Sequence, residues 1–227
     1  MTEQTIYLCD DDPGVRGALS FLLKQHGFTV VAYGSGPDLL AALDQNPTGM
    51  RGVFVLDVRM EPMSGPVVHE QLLERGLGKK HPVIFLSGHG DIPMAVTAMA
   101  KGALNFIEKP YTDDLLLPML REALALEEQW HRGAVRRGFL HSLWESLAPQ
   151  QRRIARLKSA GDLNKVIAAR MNIAERTVEE HWVKVRDKLG VDSSASLATT
   201  MAEMRSNGID TASDEEVSGF LCSRRGV

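Results

Sequence analysis

Three consecutive carboxylates, Asp10, Asp11 and Asp12, end the apolar run TIYLC, and a fourth, Asp57, ends GVFVL. A serine, Ser87, closes PVIFL, and Lys109 stands before Pro110 just beyond ALNFIE. Crowded carboxylates raise one another's pKa unless a cation neutralises them, and a hard cation such as Mg²⁺ prefers oxygen ligands. The cluster therefore implies a metal. A carboxylate beside Mg²⁺, with a lysine and a hydroxyl opposite, has what phosphoryl transfer needs: neutralised phosphoryl oxygens and a positioned attacking oxygen. Asp57 is the nucleophile on this reading.

These residues reach one another only if the strands carrying them lie side by side. TIYLC, FTVVAY, GVFVLD, PVIFLS and ALNFIE read as strands. Residues 13–26, 35–46, 64–75 and 91–100 between them have apolar residues at helical spacing, and a further helix begins near Thr112. Runs such as Val53-Phe54-Val55-Leu56 are apolar on both faces, the mark of a parallel sheet covered on both sides by right-handed crossovers. The expectation is a doubly wound five-stranded α/β domain, in which function gathers at the carboxyl ends of the strands.

After Tyr111 no strand pattern remains. A helical segment, LLLPMLREALALEEQWHRGAV, leads through Gly133 and Gly138 into an all-helical region. The expected divisions are 1–121 for the α/β domain, 122–145 for a helical linker, 146–205 for the helical domain and 206–227 for a disordered polar tail. The linker pattern suits a stiff helix or a hinge at Gly133 equally. Breaks at Gly161-Asp162 and Met171-Asn172-Ile173 divide the helical domain into helices near 149–160, 163–170 and 175–189, with Asn172 suited to a left-handed turn. On the last helix Val178, Trp182, Val185 and Leu189 share one stripe, expected to pack with Ile154, Leu157, Ile167 and Ala168. Arg176, Glu179, Glu180, Val183, Lys184 and Asp187 lie opposite, where a helix entering a major groove presents its side chains.

At 227 residues, with 44% apolar and 24% charged side chains, the chain is globular in composition and long enough for two domains, which excludes collagen-like and wholly disordered classes. Two cysteines at opposite ends, Cys9 and Cys222, argue against a disulfide framework or a zinc site and for a reducing compartment. Neither a basic leader followed by an apolar stretch nor a run of about 18 apolar residues occurs, so a cytoplasmic protein with no membrane span is expected. The net charge of −3 is uneven: residues 146–200 carry ten Lys/Arg against six Asp/Glu, while 1–121 carry ten against fourteen. A basic block after an acidic one suits a nucleic-acid-binding half joined to a different module.

The first half resembles the receiver domain of two-component response regulators. CDDDPGVR, VLDVRMEPMSG and FLSGHGDIPMAVTAMAKGALNFIEKP carry the likeness, and GHGDIPMA resembles the FixJ subgroup of the FixJ/NarL family. The resemblance implies that Asp57 is the phosphoacceptor and that Asp10 and Asp11, with Asp57 and the Arg59 carbonyl, hold Mg²⁺. It also implies that Ser87 and Lys109 bind the phosphoryl oxygens, and that Phe106 is the aromatic that turns inward on activation. One departure is Glu61-Pro62, where Pro-Asp or Pro-Gly is usual, which puts a carboxylate near the acceptor loop.

GDLNKVIAARMNIAERTVEEHWVKVRDKLGV resembles a LuxR-type helix-turn-helix output domain. By that resemblance Lys165, Thr177 and Lys184 contact DNA phosphates, Arg176 stands at a family position, and Glu179, Glu180 and Val183 occupy base-reading positions. A glutamate can accept a hydrogen bond from cytosine N4. Ala148 and Ala174 replace the usual Ser or Thr helix caps and Gln151 a customary Glu, which predicts a less stable domain leaning on the linker. The whole then resembles a regulator, not an enzyme: phosphorylated by a sensor histidine kinase, dimerising through the 91–107 face with Ile92, Pro93, Met94 and Val96, and binding double-stranded DNA. Two rivals are distinguishable. A phosphoaspartyl hydrolase of the haloacid dehalogenase type would use Asp10 of an Asp10-x-Asp12 pair, but it expects Thr or Val where Gly14 stands and leaves Asp57 without a role. A receiver with a protein-interaction output, contacting RNA polymerase for example, would lack salt-dependent DNA binding.

Overall fold

The computed structural model describes residues 4–46, 50–88 and 92–210, without the side chains of residues 92, 93 and 95. The chain divides into two compact units meeting in sequence between Arg132 and Gly133. In the first, strands β1 (Thr5–Cys9), β2 (Thr29–Tyr33), β3 (Gly52–Asp57), β4 (Val83–Ser87) and β5 (Asn105–Glu108) alternate with helices α1 (Pro13–Gln25), α2 (Gly36–Gln45), α3 (Gly65–Glu74), α4 (Ile92–Ala100) and α5 (Asp113–Glu145). All pairings are parallel, in the order β2-β1-β3-β4-β5. This is the expected doubly wound sheet, each strand within one residue of its predicted bounds except β5, which starts two residues later.

Period-two alternation along the buried strands divides the core in two. Tyr7, Cys9, Phe54, Leu56, Val83 and Phe85 face Leu39, Val68 and Leu72 of α2 and α3. Ile6, Leu8, Val53, Val55, Ile84 and Leu86 face Leu19, Leu23, Leu116 and Leu120 of α1 and α5. The Cys9 thiol is buried and pushed up to about 12, chiefly by loss of hydration, so it packs and does not react.

At the opposite, amino-terminal edge of the sheet an ion-pair network ties α5 down. Arg51 donates to both oxygens of Glu127, at 2.7 and 2.9 Å, and to Glu128; Gln4 adds a bond to Glu127 at 2.7 Å. Glu127 is fully buried. Burial pushes its pKa up, but the Arg51 and Gln4 hydrogen bonds outweigh that and hold it below the usual glutamate range.

Residues 122–145 are helical as expected, and α5 runs on through Gly133 and Gly138. In the second unit its end, Leu140 and Trp144, joins α6 (Pro149–Ser159), α7 (Asn164–Met171), α8 (Glu175–Leu189) and α9 (Ser194–Ser206). The single inward stripe expected on α8 serves two clusters. Val178 packs with Ile154, Leu157, Ile167 and Ala168, while Val185 and Leu189 pack with Leu140, Trp144 and the α9 residues Leu197, Met201 and Met204. Trp182 is only half-buried, its ring flanked by Lys158 and Arg186.

Two corrections concern the carboxyl end. Helix α9 was not among the three helices expected, and residues 206–210, expected to begin a disordered tail, belong to this unit. Ile209 packs against the core, and buried Asp210 accepts from Arg156 at 2.8 Å. Burial of Asp210 against an arginine favours an ordered end over a solvated one. Residues 211–227 of that expected tail lie outside the described residues.

Ala148 and Ala174 are the N-caps of α6 and α8, in extended backbone and with no side-chain cap. Gln151 accepts from the Ala148 N–H at 3.0 Å, which is half of a reciprocal cap; a methyl cannot supply the other half. Ala174→Ser is therefore expected to stabilise the second unit by about 0.5–2 kcal/mol, read as a rise in its unfolding midpoint.

Candidate functional site

Parallel register assembles the acidic pocket. Cys9 pairs with Leu56, so Asp10 and Asp57, each one residue further on, emerge side by side at the carboxyl edge of the sheet. Ser87 pairs with Glu108, and the Lys109 N–H donates to the Ser87 carbonyl at 2.6 Å. The Lys109 ammonium then lies between two carboxylates, 2.9 Å from Asp10 Oδ2 and 2.5 Å from Asp57 Oδ1. Residues separated by 99 and 52 positions are joined by one cation.

Each carboxylate is held by its second oxygen as well. Asp10 Oδ1 accepts from the Asp12 N–H at 3.0 Å and Asp57 Oδ2 from the Arg59 N–H at 2.8 Å. Burial raises the Asp57 pKa above the usual carboxylate range, Lys109 opposing it only in part. Burial works against charge on Lys109, but its hydrogen bonds to Asp57 and Asp10 outweigh that and raise its pKa. Ser87 is fully buried, its hydroxyl donating to the Gly88 carbonyl at 2.9 Å. Phe106, paired with Phe85, is half-buried against the α2/α3 core.

Asp11 stands apart. Its exposed side chain accepts from the Glu61 N–H at 3.1 Å, and among the described residues no three carboxylate, imidazole or thiol groups stand together at metal-binding distance. The oxygen-rich donor set nevertheless suits a hard cation, because Asp10 and Asp57 already share one positive charge. Asp12 has a plain structural role: it caps α1, accepting from the Gly14 and Val15 N–H groups at 2.7 and 3.1 Å.

Two residues of this pocket carried no assignment in the sequence. Arg16 donates to the carbonyls of Asp10 and Asp11 at 2.7 and 3.2 Å, fixing the acidic turn from the first helical turn of α1. Gly65 lets the start of α3 approach the acceptor; a Cβ there would stand 2.2 Å from the Asp57 carbonyl oxygen. The Ser-Gly-Pro at that helix start was the available signal for Gly65. Arg16 had none.

In the second unit α7 and α8 are joined through Asn172, which is left-handed at φ 54°, ψ 48° as expected. Arg176, Glu179, Glu180, Val183 and Lys184 on α8 are exposed, as is Lys165 on α7, and Thr177 is half-buried. The acidic members are locally paired: Glu180 with Arg176 at 3.2 Å, and Glu179 with the Asn164 amide at 3.5 Å.

An acidic pocket bridged by a lysine at the carboxyl edge of a doubly wound sheet, with a helix-turn-helix in the same chain, defines a phosphorylation-controlled regulator that binds DNA. Comparison with known proteins agrees for both units. Residues 6–121 match the model of the response regulator receiver domain, and residues 145–201 that of the bacterial regulatory proteins of the luxR family. The tetrathionate response regulatory protein TtrR of Salmonella typhimurium is 39% identical over 89% of this chain and 94% of its own. The transcriptional regulatory protein FixJ of Bradyrhizobium diazoefficiens is 35% identical over 86% of this chain and 93% of its own. The structure of the response regulator StyR, 34% identical, superposes with a TM-score of 0.82 over 88% of this chain and 99% of that one. The chain belongs to the two-component response regulators that join a receiver domain to a LuxR-type DNA-binding domain. The hydrolase alternative is thereby overturned. No helix among the described residues is long and apolar enough to cross a membrane.

Proposed function

We propose that Asp57 accepts the phosphoryl group, within a receiver spanning 1–121 that is joined by the 122–145 linker to a DNA reader at 146–205. The observation that carries this is the Lys109 ammonium shared by Asp10 and Asp57. An Asp57 carboxylate oxygen attacks phosphorus, the bond from phosphorus to the kinase histidine nitrogen breaks, and the imidazole leaves. Lys109 and Ser87 take the phosphoryl oxygens. Asp10, Asp11, Asp57 and the Arg59 carbonyl would hold Mg²⁺, which neutralises charge on the transferring group.

Phosphorylation adds about −1.5 to −2 charges at one point. Ser87 moves toward them, Phe106 fills the space it leaves, and the surface formed by α4 and β5 changes shape. Met94 and Val96 are exposed on that face; residue 91 and the side chains of Ile92 and Pro93, expected there too, lie outside the described residues. Pairing of two chains through this face brings two α8 helices to a paired half-site in the cytoplasm. Lys165, Thr177 and Lys184 then meet phosphates, Glu179, Glu180 and Val183 meet base edges, and Arg176 belongs to the same DNA-binding face.

Mapping the acyl phosphate after incubation with acetyl phosphate and Mg²⁺, by borohydride reduction and mass spectrometry, tests the assignment. Label is expected on Asp57 and to depend on Mg²⁺. Label on Asp10 would refute it.

A further inference from the structure

Asp10 and Asp57 share the Lys109 ammonium, at 2.9 and 2.5 Å, but Asp11 is turned elsewhere. Its Oδ2 accepts from the Glu61 N–H at 3.1 Å, a bond across 50 positions that ties the turn between β1 and α1 to the acceptor loop between β3 and α3. The backbone of that turn is fixed independently. Arg16 donates to the Asp10 and Asp11 carbonyls at 2.7 and 3.2 Å, and the Asp12 side chain caps α1. What is left to move is the exposed Asp11 side chain, between staggered rotamers.

The donor is the unusual half of this pair. Position 61 is where the segment departs from the pattern it resembles, which has proline there, and proline carries no N–H. A chain with proline at 61 cannot make this bond. We propose that the Glu61 N–H is a positioning group that holds Asp11 away from the metal site, a latch that Mg²⁺ loading has to open. The proposal rests on Asp10, Asp11 and Asp57 being the metal ligands, as in the function proposed above. One exposed hydrogen bond shifts an equilibrium by about fivefold, and that is the factor by which the latch lowers Mg²⁺ affinity. Opening it also frees the acceptor loop from the acidic turn, so metal occupancy and loop mobility are coupled.

Amide NMR of the full chain, titrated with Mg²⁺, reads both sides of the latch. In the metal-free chain the Glu61 N–H is expected to exchange with solvent about fivefold more slowly than in the Mg²⁺-saturated chain, or than in metal-free Asp11→Ala. Glu61→Pro removes the donor, and its Mg²⁺ Kd, followed at the Asp10 and Asp57 amides, is expected to fall about fivefold. Glu61→Gln keeps the donor and loses only the charge, so its amide at 61 is expected to stay protected and its Kd not to fall. A Glu61 N–H that exchanges equally with and without Mg²⁺, or that stays protected in Asp11→Ala, would overturn the proposal whether or not Glu61→Pro folds. So would an unchanged Kd in folded Glu61→Pro, or an equal fall in Glu61→Gln, which would assign the effect to charge. The Asp57 assignment fails or stands separately: Mg²⁺-dependent label on Asp57 with unchanged Glu61 exchange would overturn the latch alone.

Discussion

Asp57→Asn is expected to abolish the phosphodonor-dependent rise in DNA affinity, which in the unmodified chain should be about 10²–10⁴-fold on a paired half-site, the range that linking two binding events produces. The variant keeps the geometry and removes the chemistry. An Asn carbonyl oxygen can still accept from Lys109 or from the Arg59 N–H, which hold the two Asp57 oxygens at 2.5 and 2.8 Å. What it lacks is a nucleophilic carboxylate. Because burial already disfavours the charged form of Asp57, its neutral replacement should cost the fold little. The measurement is fluorescence anisotropy on a selected duplex, with and without acetyl phosphate, alongside sedimentation for the dimer fraction. An equal phosphodonor response in the variant would remove the trigger from the proposed function.

Arg51→Met should have the largest effect on stability, about 3–5 kcal/mol, because it strands a fully buried glutamate. Glu127 would keep its bond from Gln4 but lose both from Arg51. For a unit of this size the loss corresponds to a fall in unfolding midpoint on the order of 10 °C. The dependence on pH identifies the cause. In the unmodified chain the Glu127 pKa is depressed, so its contribution is present above the ordinary glutamate range and is lost as pH falls through the folded value. In the variant burial acts unopposed by Arg51 and raises that pKa, so protonation favours the fold. The gap between the two midpoints should be widest near neutral pH and close on acidification. A gap independent of pH would mean that lost packing, not a stranded charge, is responsible.

Some of this protein is written in local pattern. Strands apolar on both faces can be satisfied only inside a covered parallel sheet, and the rule that such sheets act at their carboxyl edge was enough to bring Asp10, Asp57, Ser87 and Lys109 into one neighbourhood. Asn172 showed the turn between α7 and α8 for the same local reason: few residues accept a left-handed backbone. Helix α9 was not expected, although Ser193, which caps the Ser196 N–H, and Leu197, Met201 and Met204 at helical spacing are local signals; its small polar residues make the stripe faint.

Tertiary structure alone decided the rest. Arg51 and Glu127 are ordinary charges in the sequence, 76 positions apart, and no periodicity relates them; they meet because β3 starts where α5 crosses the amino edge of the sheet. Arg16 on the acidic turn, Asp11 turned toward Glu61, and Asp210 held by Arg156 are of the same kind. Periodicity tells which face of an element is buried, because burial repeats with the backbone. The partner a single polar group finds across the fold depends on where other elements come to rest, and that is settled by packing.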